Sequence, residues 1–336
     1  MKRSLTPARL TLAGLGLLLL VAVVLWLVPS SDYLLLPDKA RPVAPLVKIG
    51  GGKAHPAKDS GQIYFLAVFV RKANLLERLF PQIRSGATLV PASALRPPGV
   101  SEGTEHKIDR RDMSESQNIA AAVALRSLGY PVVAKQNGAE IAEVVAGSPA
   151  AGKLQPTQVI VSVDGMRVDS PAVLRRLMGT HSPGEVVRLG VRTDSGLKTV
   201  SIRTKNAGGR AVVGVIIDQS AHIKLPFPVT IDSGSVVGPS AGLAFALEIM
   251  EKLGRNVDRG YRVAATGELL LNGDVLPIGG VKQKAIEAEQ SHVDILLVPA
   301  GDNAAEARKY AGSVRVIPVQ SFQQALHSLA TVHAKA

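Results

Sequence analysis

The chain contains no cysteine, and its seven histidines show no spacing typical of metal ligands. A disulfide, a thiol nucleophile and a thiolate metal site are therefore excluded, and we expect neither a metal ion nor a cofactor. Aromatic residues make up only 4% of the sequence and the basic residues are scattered, which argues against nucleic-acid binding. The sequence also lacks a Gly-x-x-x-x-Gly-Lys-Ser/Thr phosphate loop, so any hydrolysis is expected to need no ATP.

A long uncharged run is present near the start of the chain. It covers the nineteen residues 10–28, the length of a helix that spans a bilayer's hydrocarbon core. Lys2, Arg3 and Arg9 precede it, and such positive charges favour the cytoplasmic side. We therefore predict a cytoplasmic tail over 1–9, a transmembrane helix over 10–28 in contact with membrane lipid, and a single-pass protein of the cell membrane whose C-terminal domains lie on the extracytoplasmic side. A cleaved signal peptide is the alternative.

A serine stands at the start of a predicted helix in the last third of the chain. An apolar stretch that ends at Gly254 follows this serine. A serine hydroxyl attacks a carbonyl usefully only when a base removes its proton. Small neighbours let a substrate backbone approach, and the unpaired N–H groups of the first helical turn favour a developing oxyanion. The segment that carries the candidate nucleophile consists of Gly238, Pro239, Ser240, Ala241 and Gly242.

Two lysines of the next predicted helix, over 281–290, are candidates for the base. Helical geometry places Lys284 on the apolar side of this helix, whereas Lys282 lies nearer Glu289. A lysine on a partly buried face loses solvation of its charge, so its pKa falls and it can act as a base. The preference for Lys284 is slight, because apolar residues also flank Lys282. A simple tight turn and a solvated surface lysine are the alternatives.

The pattern Gly-x-Ser-x-Gly also fits the nucleophile elbow of an esterase-like hydrolase. Such an enzyme needs an aspartate and then a histidine downstream of the serine. That order exists, because four aspartates follow Ser240 and precede His327 and His333. The two histidines lie in a polar tail, however, and too few strand and helix units surround Ser240 for that fold. The esterase remains an alternative function.

Residues 138–204 have a character of their own. Short apolar runs, a Gly-Ser-Pro turn at 147–149 and an Asp-Gly turn at 164–165 predict strands and hairpins with one short helix. The stretch resembles a PDZ domain of the kind found in bacterial proteases, which implies capture of extended peptides at a sheet edge. Glu140 would repel a peptide carboxylate, so a plain packing module is the alternative. The segment expected to hold that carboxylate consists of Asn137, Gly138, Ala139, Glu140 and Ile141.

Two further motifs follow the serine segment. They are Thr-Gly-Glu at 266–268 and Leu-Pro-Ile-Gly-Gly-Val-Lys-Gln-Lys at 276–284. In this order the motifs resemble a Lon-type Ser-Lys protease domain. The resemblance implies that Ser240 is the nucleophile, that Lys284 is the base and that Thr266 hydrogen-bonds Lys284; it also implies a homo-oligomer. Where ATP-driven members carry an acidic residue before the Gly-Pro pair, this chain has Val236 and Val237.

The same resemblance covers the region before the PDZ-like stretch. A buried strand is predicted over 63–70, and a helix follows a Met-x-Glu-Ser segment that Lon-type domains also have. The PDZ-like stretch would then be inserted into one protease domain. We predict an α+β protein in which a Lon-type α/β domain is formed by 57–132 and 207–336. A β-rich PDZ-like domain is inserted over 133–206, and the transmembrane helix precedes both.

These expectations combine into one function. The chain is expected to be a membrane-anchored, ATP-independent serine endopeptidase that cleaves exported or membrane-associated polypeptides through Ser240 and Lys284. The alternative from another class is a non-catalytic, membrane-anchored scaffold whose PDZ-like unit recruits partners. The intact Ser-Lys pair argues against the scaffold.

Overall fold

The computed structural model describes residues 7–56, 61–95, 102–169, 171–207 and 209–333. The elements before residue 130 are, in chain order, α1 (Pro7–Leu27), β1 (Pro29–Pro37), β2 (Arg41–Pro42), β3 (Val47–Ile49), β4 (Gln62–Phe65), β5 (Val68–Asn74), α2 (Leu75–Leu79), β6 (Thr88–Pro91), α3 (Ala92–Leu95) and α4 (Glu102–Ser127).

The apolar run near the start forms α1. In the described part of the chain, no helix is both long enough and apolar enough to cross a membrane. The prediction of a transmembrane helix over 10–28, and with it that of a single-pass membrane protein with extracytoplasmic domains, is therefore wrong. Helix α1 covers Pro7–Leu27, so it begins before the predicted run and ends one residue before the run does. Residues 1–6 of the predicted tail lie outside the described residues.

The strand predicted over 63–70 is broken at residues 66–67. Before the break, β4 is buried at Ile63 and Phe65. After it, β5 pairs with β1, and Phe69 and Val70 are 53% and 44% exposed. β1 also pairs with β6, so the small antiparallel sheet has the order β5, β1, β6 and β5 lies at its edge. The prediction of a single buried strand is therefore wrong, and the exposed half borders the candidate site described below.

The middle of the chain forms a sheet with its own core. Its elements are β7 (Val133–Val144), β8 (Val159–Val163), β9 (Met166–Arg167), α5 (Pro171–Met178), β10 (Val186–Thr193), β11 (Gly196–Arg203), β12 (Lys205–Ala207), β13 (Arg210–Val212) and β14 (Val215–Lys224). The strand order is β11, β10, β8, β7, β14, with β9 paired to β8. Ile141, Ile160, Leu189 and Ile202 are fully buried between this sheet and α5.

The sheet of the middle unit continues past residue 206, where we predicted the boundary. β14 pairs with β7 along its whole length, and Val213 belongs to the same buried cluster as the sheet. Residues up to Lys224 are therefore part of this middle unit. Its first strand, β7, pairs with its last strand, β14, and all the residues between these two strands belong to the same unit. The unit's two ends are close together: the rings of Tyr130 and Phe227 meet edge to face with centroids 5.1 Å apart.

The remaining elements are β15 (Val229–Ile231), α6 (Gly242–Lys252), β16 (Arg262–Ala265), β17 (Glu268–Leu269), β18 (Val275–Leu276), α7 (Val281–Gln290), β19 (Ile295–Pro299), α8 (Asp302–Tyr310), β20 (Arg315–Val319) and α9 (Phe322–Ala330). Their main sheet has the order β2, β4, β16, β19, β20, and the last four of these strands run parallel. The chain is thus a mixed α/β protein.

Segments from both sides of the middle unit share one core. β4 pairs with β16, so that Ile63 lies opposite Val263, and β15 pairs with β3. The rings of Phe65 and Phe245 lie 6.1 Å apart, and helix α4 packs on α6 with Ala120 and Ala124 fully buried. Residues before 130 therefore help to bury helix α6, which directly follows Ser240.

Candidate active site

The serine segment is held in a tight turn at the start of α6. Residues Pro239–Ala241 form a single 3₁₀ turn, and Gly238 before it has φ 91°, a left-handed conformation that favours glycine. Gly242 allows a close approach, because a Cβ there would lie 2.9 Å from Ser116 Oγ of α4. Ser116 is buried and donates a 3.0 Å hydrogen bond to the Pro239 carbonyl. Helix α4 therefore fixes the turn that carries Ser240.

Lys284 lies within hydrogen-bond distance of that serine. Its Nζ is 2.8 Å from Ser240 Oγ and 2.9 Å from Thr266 Oγ1. Thr266, which follows β16, is fully buried and donates through Oγ1 to the Ser240 carbonyl at 3.2 Å. The Gly267 N–H donates to the same carbonyl at 2.8 Å. The structure thus brings Lys284 together with Ser240, 44 positions before it, and with Thr266, 18 positions before it.

The environment of Lys284 favours its neutral form. Its side chain is only 3% exposed, and burial lowers its pKa from 10.5 to about 8, while nearby Glu287 acts in the opposite direction. A lysine with such a pKa is partly neutral at neutral pH, so its nitrogen has a free lone pair. Lys282, by contrast, points away from the serine: its Nζ donates to the Ala87 carbonyl at 2.9 Å and lies 5.5 Å from the centre of the Tyr310 ring.

A cleft of about 460 Å³ opens beside the two residues. Its lining includes the edge strand β5 at residues 68–70 and the segment of residues 235–238. Val236 and Val237, which occupy the position of an expected acidic residue, make that segment apolar. Gly279 and Gly280 close the end next to Lys284. An extended chain fits such a cleft, because β5 has no strand partner on its outer side among the described residues.

The N–H groups that were predicted to bind the oxyanion, those of the first turn of α6, are not free in the structure. In the first turn of α6, the Gly242 N–H donates to the Pro239 carbonyl and the Leu243 N–H donates to the Gly267 carbonyl. These two groups are already paired and are therefore not free to bind an oxyanion. The Ser240 N–H has no acceptor among the described residues, so it is the amide that the turn leaves for this role.

The histidines of the esterase alternative do not approach the serine. His327 lies on the exposed side of α9, and His333 is exposed at the end of the described chain. The partner of Ser240 Oγ is Lys284 instead.

The segment 137–141 does not lie at a sheet edge. Ala139 and Glu140 pair with β14 on one side and with β8 on the other, and the Gly138 N–H donates to the Asp169 carbonyl. The prediction that Asn137, Gly138, Ala139, Glu140 and Ile141 capture a peptide is therefore wrong, because strand addition needs unpaired backbone groups. The sequence did not show that β14 would cover this strand.

An apolar cavity marks a better candidate for peptide capture. Its volume is about 410 Å³, and it lies between the start of β14 and helix α5. Val213, Gly214 and Val215 form one side, and Leu174 and Met178 form the other. β14 is the edge strand of its sheet. The segment Val-Val-Gly-Val at 212–215 carried the only sequence signal for it, as a glycine between apolar residues ahead of a strand.

Two family models match parts of this chain. Residues 190–331 match the family model of the Lon protease (S16) C-terminal proteolytic domain, and residues 127–204 match that of the PDZ domain. Lon protease 2 of Bacillus subtilis (strain 168) is 33% identical over 144 residues, which are 40% of this chain and 25% of that protein. The Lon protease of Phenylobacterium zucineum (strain HLK1) is 35% identical over 133 residues, 39% of this chain and 15% of that protein.

Among solved structures, the PDZ domain of an SdrC-like protein from Listeria innocua is 21% identical, with a TM-score of 0.23, over 24% of this chain and 92% of that one. The chain spans a quarter or less of the length of the two Lon proteases. The chain thus contains one region similar to a Lon protease proteolytic domain and one similar to a PDZ domain.

Proposed function

We propose that this chain is a serine endopeptidase with a Ser240–Lys284 dyad that cleaves polypeptides without ATP. The observation that carries the proposal is the 2.8 Å distance between Lys284 Nζ and Ser240 Oγ in a buried setting that lowers the lysine's pKa to about 8. A neutral lysine at this distance can accept the serine's proton. The sequence of this chain contains no phosphate loop that would couple cleavage to a nucleotide.

The chemistry follows from that arrangement. Ser240 Oγ attacks the carbonyl carbon of the substrate while its proton moves to the lone pair of Lys284 Nζ. The C–N bond then breaks, and Lys284 gives the proton to the departing amine. A water molecule next loses a proton to Lys284 and attacks the ester carbonyl. Ser240 leaves with that proton, which restores the dyad.

Thr266 is proposed as the residue that holds the base in place. It accepts a hydrogen bond from Lys284 Nζ and donates one to the Ser240 carbonyl, so it fixes the lysine relative to the serine's own backbone. Gly238, Pro239, Ala241 and Gly242 are proposed to shape the turn and take no part in the proton transfers. The amide of Ser240 is the proposed oxyanion donor.

The scaffold alternative is disfavoured by the cost of the buried lysine. Burial that lowers a lysine pKa from 10.5 to about 8 corresponds to about 3 kcal/mol of lost stability at neutral pH. A protein that only recruits partners gains nothing from this lysine, whereas a peptidase needs it.

The test is cleavage of a reduced, unfolded substrate protein by the purified chain without nucleotide. Ser240→Ala and Lys284→Ala are each expected to lose at least about a thousandfold in kcat/KM, because nucleophile and base act as a unit. Lys282→Ala is the matched control on the same helix and should keep most of the activity. Full activity in Ser240→Ala, or loss in Lys282→Ala with retention in Lys284→Ala, would refute the assignment.

We propose a second function, peptide capture, for the cavity between β14 and α5. The supporting observation is an edge strand beside an apolar cavity, the arrangement that adds an extended peptide to a sheet. Fluorescence anisotropy with peptides that end in an apolar residue and a free carboxylate tests it. Met178→Glu should weaken binding, whereas Glu140→Gln in the covered strand should not. Equal weakening by both changes would contradict this location.

A further inference from the structure

Glu287 is a buried carboxyl group for which the proposed reaction has no use. It lies three residues after Lys284 on α7, on a side of the helix that is fully covered, and its own side chain is 0% exposed. One carboxyl oxygen, Oε1, accepts a long hydrogen bond of 3.5 Å from the Ala67 N–H. The other, Oε2, is buried without a partner in the described part of the chain. A buried carboxylate without partners is costly, so this group needs an explanation.

The charges around Glu287 come from two elements. Asp38 and Arg41 face it from the segment after β1, and Lys284 faces it from its own helix. Burial raises the pKa of Glu287 to about 8; the Ala67 N–H, Lys284 and Arg41 oppose that rise and Asp38 adds to it. Glu287 in turn raises the pKa of Lys284 against the effect of burial. Each of the two groups therefore responds to the charge of the other.

Glu287 is also hydrogen-bonded to a residue that lines the cleft. Ala67 belongs to the break between β4 and β5 and lines the cavity beside Ser240. The same carboxyl group is thus linked to the base through the helix and to the substrate wall through one backbone amide.

We propose that Glu287 is a positioning residue that controls the protonation of Lys284 through the charge of its own carboxyl group. The proposal rests on Lys284 being the base. With Glu287 protonated, Lys284 can release its proton and leave both groups neutral. With Glu287 ionised, the negative charge holds the proton on Lys284, and the lysine cannot accept one from Ser240. The charge of Glu287 therefore decides how readily Lys284 gives up the proton that blocks the dyad.

Two substitutions should move the pH dependence in opposite directions. Glu287→Gln keeps an acceptor for the Ala67 N–H but is always neutral, so Lys284 should lose its proton at lower pH. Asp38→Asn removes a negative charge that disfavours ionisation of Glu287, so Lys284 should keep its proton to higher pH. A nearby charge moves a pKa by about one unit, so each rate at pH 7 should change by about two- to tenfold. Glu289→Gln, an exposed position on the same helix, is the matched control.

The experiment measures the rate at which an organophosphonate serine probe labels Ser240 from pH 6 to pH 10, in the full chain and in these variants. We expect faster labelling than wild type at pH 7 in Glu287→Gln, slower labelling in Asp38→Asn and no change in Glu289→Gln. Circular dichroism of each variant checks that it is folded.

Superimposed pH profiles for wild type and Glu287→Gln, or shifts of the same sign in the two test variants, would overturn the role of Glu287. If Glu287→Gln does not fold, Asp38→Asn alone decides: an unshifted or an acid-shifted profile overturns the proposal. Lys284→Ala tests the proposed function separately. Unchanged labelling of Ser240 in that variant would show that Lys284 is not the base, whereas slowed labelling in it together with unshifted profiles in the Glu287 and Asp38 variants would overturn only the role of Glu287.

Discussion

Replacing the base should make the protein more stable at slightly acidic pH. Lys284 is protonated in the unfolded chain up to about pH 10.5 and in the folded chain only up to about pH 8. Below pH 8 both states carry the proton, and the folded state bears the full cost of a buried charge, about 3 kcal/mol. Lys284→Met removes this cost and adds apolar burial.

Losses offset part of that gain. The substitution removes the hydrogen bonds to Ser240 Oγ and Thr266 Oγ1, each worth about 0.5–1.5 kcal/mol. Glu287, with its pKa raised to about 8, is protonated at pH 6.5 and does not become an unpaired charge there. The two hydrogen bonds together cost about 1–3 kcal/mol, so the expected net change is a gain of up to about 2 kcal/mol in the free energy of unfolding at pH 6.5. As pH rises from 8 to 10.5 the unfolded wild type holds a proton that the folded state has lost, so wild-type stability rises and the gain shrinks.

Urea unfolding followed by far-ultraviolet circular dichroism at pH 6.5 and pH 9.5 measures this. Lys282→Met is the matched control on the same helix. It removes the hydrogen bond to the Ala87 carbonyl and the contact with the Tyr310 ring, so it should lose about 0.5–1.5 kcal/mol. Opposite signs for the two substitutions support a desolvated base. A loss of stability in Lys284→Met at pH 6.5 would refute the reasoning.

Three further predictions follow from the same geometry. With a pKa of about 8, the neutral fraction of Lys284 is about 1% at pH 6 and about 90% at pH 9, so the rate of cleavage should rise across that range. A rate that rises near histidine's usual pKa of about 6.5, with the rise lost in His327→Ala, would contradict the role of Lys284. Thr266→Val should lower kcat about tenfold with little change in KM, because Lys284 loses the hydroxyl that accepts its hydrogen bond. Thr266→Ser keeps that hydroxyl and should retain most of kcat; equal losses in kcat for the two variants would show that the hydrogen bond is not needed. Replacing residues 132–224 by a short glycine-serine linker should leave a folded chain that still reacts with a serine probe, because the rings of Tyr130 and Phe227 are already in contact. Deleting β4, which pairs with β16, should instead abolish folding. Folding of a chain that begins at residue 225 would show that the earlier residues are not needed.

The sequence predicted the residues of the candidate site better than their surroundings. Ser240, Thr266 and Lys284 lie in short motifs whose spacing is visible along the chain, and the structure brings these three together. The preference for Lys284 over Lys282 was slight in the sequence, because both are flanked by apolar residues. In the structure, the fold separates them: one points into the core, and the other reaches the Ala87 carbonyl.

Long-range pairing accounts for what the sequence did not show. The peptide segment at 137–141 was misplaced because its cover, β14, is about 80 residues away and forms only when the middle unit closes. The charges and the hydrogen bond around Glu287 come from Asp38, Arg41 and Ala67, which no periodicity of α7 reveals. The apolar run at 10–28 was interpreted from its composition and its length alone, and the helix that forms there covers Pro7–Leu27.

The central claim is that Ser240 is a nucleophile activated by Lys284. The most direct measurement is mass-spectrometric mapping of the residue that an organophosphonate probe modifies in the purified chain at pH 8.5. We expect a single modified peptide that contains Ser240, with modification slowed at least about a hundredfold in Lys284→Met and unchanged in Lys282→Met. Modification of a different serine, or of Ser240 at the same rate in Lys284→Met, would contradict the claim.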